Sequence, residues 1–444
     1  MFLWCVLVLV NLVSVATGTN AGVKVRLTQK GLEYGRQIGI ASIQQKLRTI
    51  KVPDISGTEK VDYIVLYSIV NLGLPKSALG LVPDTGVMLS IGNAYINLHG
   101  NWRVNYLRII KDSGSFDLAI SELTISTTIA VTSDDTGRAT VSMTNCAATV
   151  GSVNVKFHGG ASSVSHSIYL LFQICPLVAD SIADINPHLK TCTYKKIEIS
   201  VVDIPVLAKV DQYAKIEYSM VGSPVISNTS IDLGLKGEFY NIGQHKEPPF
   251  SPTPFSLPSQ DTDMLYIGVS AFTINSAGFV YNRAGALHLY ITDDMIPSGS
   301  PIRLNTKTLG TFIPQIEKMY PGLMMKLLVQ TVKEPAVVTA YTIQPNSTLS
   351  PLFVLNLEGS VSTHIYVTEL KMAGNVTLNN LAKSYVGPFQ VTSLDNIFTI
   401  VLKVVIIPKV NAHLQEGYPL PAIGNMQLVN SQLQVLKVSL CILM

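Results

Sequence analysis

The chain has 444 residues, 47% of them hydrophobic and only 14% charged, which allows a large core and excludes a disordered chain. Its formal net charge of +3 is too mild for a nucleic-acid binder. Beyond the N-terminus no uncharged apolar run reaches the ~18 residues needed to span a bilayer, and the longest candidate, Thr399–Ile407, is broken by Lys403. Such a composition fits a large β-rich core or an internal surface that lines a lipid site, and by itself does not separate them.

Residues 2–17 form an apolar run of signal-peptide length, followed by small residues through Gly18, so cleavage is expected near Gly18 and the product is expected outside the cell. Three sequons, at Asn228, Asn346 and Asn375, agree with a secreted glycoprotein. With Cys5 in the leader, Cys146, Cys175, Cys192 and Cys441 remain, without zinc-type spacing. An oxidising compartment favours one disulfide, worth roughly 3 kcal/mol for a loop of this size.

After the leader, GVKVRLTQ alternates as a strand. Lys30–Ile50 reads as a helix, with Ile40, Ile43, Leu47 and Ile50 on one face and Gly31, Gly35 and Gly39 as a stripe of small residues; Pro53 stops it. Residues 61–157 alternate with period two through short strands, an antiparallel twisted meander. Its expected turns are Val82-Pro-Asp-Thr-Gly, Asp112-Ser-Gly and Asp134-Asp-Thr-Gly. Residues 166–191 switch to an amphipathic helix, kinked at Pro176, and strands return through 194–238.

Five prolines then fall between Pro248 and Pro258, at 248, 249, 252, 254 and 258, so this run is neither helix nor central strand but an extended connector between two halves. Past it, strands are expected over 264–293, a short helix near Lys307–Tyr320, further strands to about 378, an apolar helix-like stretch at 394–414 and a last strand. The order weakly repeats that of the first half. All the excess positive charge lies in the first half, and Lys24–Lys60 carries eight basic and three acidic residues.

Motifs for catalysis or metal binding do not assemble. His158-Gly-Gly lacks a GxSxG nucleophile elbow, no HExxH or phosphate loop occurs, and Asp293-Asp294 precede a turn at Ile296-Pro297. No catalytic residue, metal ligand or cofactor is assigned, and an enzyme is set aside.

GLEYGRQIGIASIQQKLRTIKVPDISG, LKGEFY, PPFSPTPF, LYIGVSAFTINSAGFVY, LGTFIPQI and LQEGYPLP resemble the bactericidal/permeability-increasing and lipopolysaccharide-binding protein family, in order, from Gly22 to about Lys437. The resemblance implies an α+β fold: an elongated boomerang of two antiparallel β-barrels, each wrapped on long helices, joined by a central sheet and a Pro-rich linker. The corresponding layout is leader 1–18, N-terminal barrel 19–220, central strand and linker 221–262, and C-terminal barrel 263–444. It further implies a secreted, monomeric, antibacterial or endotoxin-handling protein of innate immunity. Phospholipid would lie in apolar pockets, under Ile40, Ile43 and Leu47 in the first barrel, and bacterial lipopolysaccharide or the outer-membrane surface would meet a basic tip. By the same resemblance the tip comprises Lys46, Arg48, Lys51, Arg103, Arg108 and Lys111, and the disulfide joins Cys146 to Cys175.

This sequence departs from the strongly basic family pattern at Asp62, Tyr63, Asn101, Asn105, Tyr106 and Leu107, which implies weak endotoxin binding. An inserted segment around Cys192, a strand missing between Glu334 and Asn346, and a short tail, SLCILM, are further departures. The alternatives are a lipid carrier or transfer protein without antibacterial role, and a cargo-less structural relative. Lipid content of the purified protein separates these.

Overall fold

The computed structural model describes residues 20–49, 55–57, 61–106, 110–159, 179, 206–243, 245–259, 262–330, 336–386, 395–421, 428, 431–436 and 439–443. The leader, the Cys192 segment and, apart from helical Ala179, the helix expected over 166–191 lie outside the described residues.

The first half opens with β1 (Val23–Thr28) and α1 (Gln29–Thr49). Strands β2 (Ile55–Gly57), β3 (Val61–Gly73), β4 (Lys76–Val82), β5 (Gly86–Tyr106), β6 (Ile110–Ser133), β7 (Ala139–Thr149) and β8 (Ser152–His158) follow. They form one antiparallel sheet in the order β2-β3-β5-β6-β7, with β4 also on β5 and β8 also on β6. One end of β5 pairs with β4 and the other with β3, and its register on β6 shifts around Ala94. Asn93 (φ 52°) and Glu122 (φ 55°) take left-handed backbone at this bend. Such bulges curl a long hairpin into a barrel wall.

Among the expected short strands, those over residues 86–133 are therefore two long bent ones, β5 and β6. The turn expected at Asp112-Ser-Gly is a correction, because these residues run inside β6. Gly114 faces Trp102 instead of turning the chain: a Cβ there would stand 3.0 Å from the indole and 2.3 Å from the His158 carbonyl oxygen.

In the second half β9 (Leu207–Lys209), β10 (Ala214–Glu217), β11 (Val225–Ile226), β12 (Ser230–Leu235), β13 (Glu238–Asn241) and β14 (Leu265–Ser270) precede α2 (Ala271–Arg283). The strands expected throughout 264–293 are corrected here. Phe272, Ser276 and Val280 bury one helical face, and the β-branched and aromatic content that suggests strand is overridden by tertiary packing.

The C-terminal barrel sheet runs β15 (Leu289–Ile291), β16 (Met325–Gln330), β17 (Ala336–Ile343), β18 (Leu349–Thr368), β19 (Lys371–Val386) and β20 (Tyr418–Pro419). The single helix expected near 307–320 is two, α3 (Thr306–Gly310) and α4 (Pro314–Met319), the second starting on Pro314. A longer helix comprises α5 (Asp395–Val401), a π turn (Leu402–Ile406) and α6 (Ile407–Glu416). Pro408, which has no amide to donate, lies two residues past the end of the widened turn.

β21 (Gln432–Val435) and β22 (Ser439–Leu443) complete a central sheet ordered β11-β12-β1-β14-β22-β21. The N-terminal strand thus lies between β12 and β14, and the short tail is a wholly buried strand beside β14. Tyr266, Cys441 and Leu443 on this sheet pack on Phe255 and Leu257 of the proline-rich run, which has no regular secondary structure. A Cβ on Gly268 would meet Leu257 at 2.6 Å and Phe255 at 2.7 Å, so the connector lies directly on the sheet. Arg26 grips it from below, with Nη1 donating to the Pro258 carbonyl at 2.7 Å while Nε and Nη2 engage Asp232.

Candidate functional site

Helix α1 packs against β3 and β4 of the first sheet. Thr28 Oγ1 accepts from the Gly31 amide at 3.3 Å and caps it. Gln29 donates to the Leu79 carbonyl at 2.7 Å, and Arg36 Nη1 donates to Ser77 Oγ at 2.7 Å. The glycine stripe divides into two uses. A Cβ on Gly31 would collide with the Met264 carbonyl oxygen at 2.4 Å, so this glycine permits contact with the waist, whereas nothing lies within 4 Å of one on Gly35.

Ile40 packs against a cluster containing Leu74, Ile91, Leu98, Phe116, Leu118 and Ile120. Ile43 and Leu47 belong to the same helix, three and seven residues beyond it. Around the buried centre stand inward-facing apolar residues that remain partly accessible, among them Ile69, Ile96, Trp102, Val155 and Phe157. Trp102 meets Phe157 edge to face, centroids 6.5 Å apart.

The C-terminal barrel is filled differently. Ile397, Phe398, Val401 and Val405 of the long helix are inserted among Ile291, Leu327 and Leu355, all nearly inaccessible. Residues Ile397–Glu416 are long and apolar enough to cross a membrane by length and composition; the first half is seated on the core through Ile397, Phe398, Val401 and Val405, whereas no residue of Ile407–Glu416 is buried, and Val404 and Val410 are exposed.

Of the six basic tip residues, Arg103 is exposed on the outer face of β5, opposite Ser113 of β6. Lys46 and Arg48 belong to the last turns of α1 and Lys111 to the start of β6, while Lys51 and Arg108 lie outside the described residues. Sequence reasoning missed the imidazoles on this outer face. His99 Nδ1 and His158 Nε2 stand 2.7 and 2.8 Å from the two oxygens of Asp117. Their hydrogen bonds hold the Asp117 carboxyl below the usual carboxylate range. A cross-strand trio of this kind is not visible without the register of β5, β6 and β8. It also accounts for His158-Gly-Gly, where Gly159 (φ 77°) follows the strand end.

Asp293 accepts from Arg303 and from the Leu304 amide at 2.7 Å, a structural use of the Asp293-Asp294 pair. Cys146 is disulfide-bonded; Cys175, its expected partner, lies outside the described residues. Cys441 is free and buried, and burial pushes its thiol up to about 11. Asn228 and Asn346 are exposed, and Asn375 is half-buried on β19. A waist cavity of about 240 Å³, lined by Asp211, Lys371, His413 and Glu416, is small and charged, unlike an apolar ligand pocket.

Comparison with known proteins agrees with this architecture. The LBP / BPI / CETP family models match twice, the N-terminal domain over residues 31–178 and the C-terminal domain over 208–443. The chain belongs to this family. A bactericidal permeability-increasing protein of Sebastes schlegelii is 62% identical over 480 residues, covering 98% of this chain and 97% of that protein. A lipopolysaccharide-binding protein of Bos taurus is 30% identical, covering 97% and 94%. The crystal structure of a lipopolysaccharide binding protein superposes with a TM-score of 0.59 at 30% identity, over 96% of this chain and 98% of that one. The two-barrel boomerang with its central sheet is thus the fold of this LBP / BPI / CETP family member.

Proposed function

We propose that this chain is a secreted lipid-binding protein of innate immunity that carries phospholipid and binds bacterial lipopolysaccharide. The observation that carries the reading is the apolar interior beneath α1, where Ile40 covers a buried cluster rimmed by inward-facing, partly accessible apolar residues. Acyl chains gain about 0.8 kcal/mol per buried CH₂, and such a surface is where they would gain it. On this reading Ile43 and Leu47, further along the same helix, complete the lipid contact. The names of the relatives, one bactericidal and one lipopolysaccharide-binding, support the endotoxin role.

On this reading the head group meets Lys46, Arg48, Lys51, Arg103, Arg108 and Lys111 at the barrel tip. Exposed cations of this kind contribute little each and are screened by salt, so acyl burial supplies most of the affinity. The Cys146–Cys175 bridge, glycans at Asn228, Asn346 and Asn375, a cleaved leader at 1–18 and a monomeric state complete the proposal. Its domains are a barrel over 19–220, a strand and linker over 221–262, and a second barrel from 263. Extraction and mass spectrometry of lipids from purified protein tests carriage. Peptide mapping tests the bridge, since pairing of Cys146 with Cys192 contradicts it.

A further inference from the structure

The indole nitrogen of Trp102 is buried and has no hydrogen-bond partner among the described residues. Trp102 is on the inward face of β5 with buried Leu98 and Gly100, while His99 and Arg103 are on the outward face. Its ring lies against Gly114 of β6 and edge-on to Phe157 of β8. Phenylalanine would supply the same apolar packing without a donor. A buried N–H left unpaired is costly, and native structures rarely keep one without a partner supplied from elsewhere.

We infer that the Trp102 Nε1–H is the polar anchor of the first barrel, donating to an ester carbonyl oxygen of an acyl lipid; this rests on the lipid-carriage reading above. The acceptor class follows from the surroundings. The ring lies edge-on to Phe157 within a cluster of apolar residues, and the polar group the structure shows beside it is the His158 backbone carbonyl, an acceptor and not a cation, so a phosphate oxygen there would be desolvated without a counter-cation, at a far greater cost than a neutral carbonyl. An ester group also sits at the junction of acyl chains and head group. One hydrogen bond at Trp102 therefore sets how deeply a lipid enters, and the site discriminates ester-linked from ether-linked lipids.

The test is a binding cycle on delipidated full-length protein, using a diacyl phosphatidylcholine and its dialkyl ether analogue against the native chain and Trp102→Phe. The native chain is expected to favour the diester by about five- to tenfold, the size of one neutral hydrogen bond, and Trp102→Phe is expected to bind both equally. Equal binding of both lipids by the native chain overturns the anchor while leaving carriage standing, as does a preference that survives in Trp102→Phe. Binding of neither lipid by the folded native chain overturns the carriage reading itself. A second measurement needs no variant: Trp4 and Trp102 are the two tryptophans, and Trp4 lies in the expected leader. Phosphatidylcholine brominated near the carbonyl end of its chains is expected to quench Trp102 emission more than lipid brominated at the chain ends. The reverse order overturns the anchor.

Discussion

Glu217 and Glu238 stand directly opposite each other in the β10–β13 ladder, and Lys236 lies 3.5 Å from one carboxylate and 3.4 Å from the other. Like charges in register destabilise a strand pair, and one cation does not serve the two equally. Burial draws Glu217 upward, but hydrogen bonds from Ser219 and Tyr240, with Lys236, outweigh it and leave its carboxyl lowered. Glu238 is raised: burial dominates, and its Oε1 is buried without a hydrogen-bond partner. A carboxyl raised in the folded state stabilises fully below its unfolded value, and that contribution is lost as pH rises through the folded value.

Glu238→Gln is therefore expected to be at least as stable as the native chain at pH ~7, with the native chain catching up on acidification toward about pH 4. Denaturant unfolding across this range reads the difference. A large loss in Glu238→Gln confined to neutral pH would show that the ionised carboxylate stabilises the waist.

Arg26 binds Asp232 through two nitrogens and the linker through a third. Both side chains of the pair are partly exposed, at 18% and 33%, which limits the ion-pair part of the effect. Arg26→Met is expected to cost about 1–3 kcal/mol, and limited proteolysis should cut within 248–258 sooner. Unchanged cleavage would mean that Phe255 and Leu257 hold the connector without it.

Gly31 and Gly35 of α1 predict opposite outcomes. Gly31→Ala pushes a methyl group into the Met264 carbonyl and is expected to destabilise by about 1–3 kcal/mol. Gly35→Ala meets open space and is expected to stabilise the helix by roughly 0.5–1 kcal/mol. Thermal unfolding of the pair decides; two equal changes contradict the assignment of Gly31 to the waist contact.

Much of this architecture is readable from local pattern. Strand β1, helix α1 and the extended proline run lie where period and proline geometry place them. Other features depend on distant chain. Helix α2 is rich in β-branched and aromatic residues, and it is helical because Val280 and Tyr281 face a core assembled from both halves. Gly114 looks like a turn glycine until the register places it under Trp102. The family resemblance supplies the location of the proposed site, but neither the His99–Asp117–His158 trio nor the unpaired indole follows from motif or spacing.

Replacing Lys46, Arg48 and Arg103 together by Ala is expected to remove the salt dependence of lipopolysaccharide binding and leave neutral phospholipid binding intact. Titration at two ionic strengths measures this, since exposed charges are screened over ~8 Å at physiological salt. Salt-dependent binding that survives the triple change places the head group elsewhere.

The central claim is that the barrel under α1 carries lipid. Its most direct test is organic extraction of the natively purified full-length chain, with quantitative mass spectrometry of what is released. The account predicts phospholipid in near-stoichiometric amount, with no more than trace lipid from a control protein purified in parallel. A folded, monodisperse chain that releases no lipid, and takes none up from phospholipid vesicles, would contradict it.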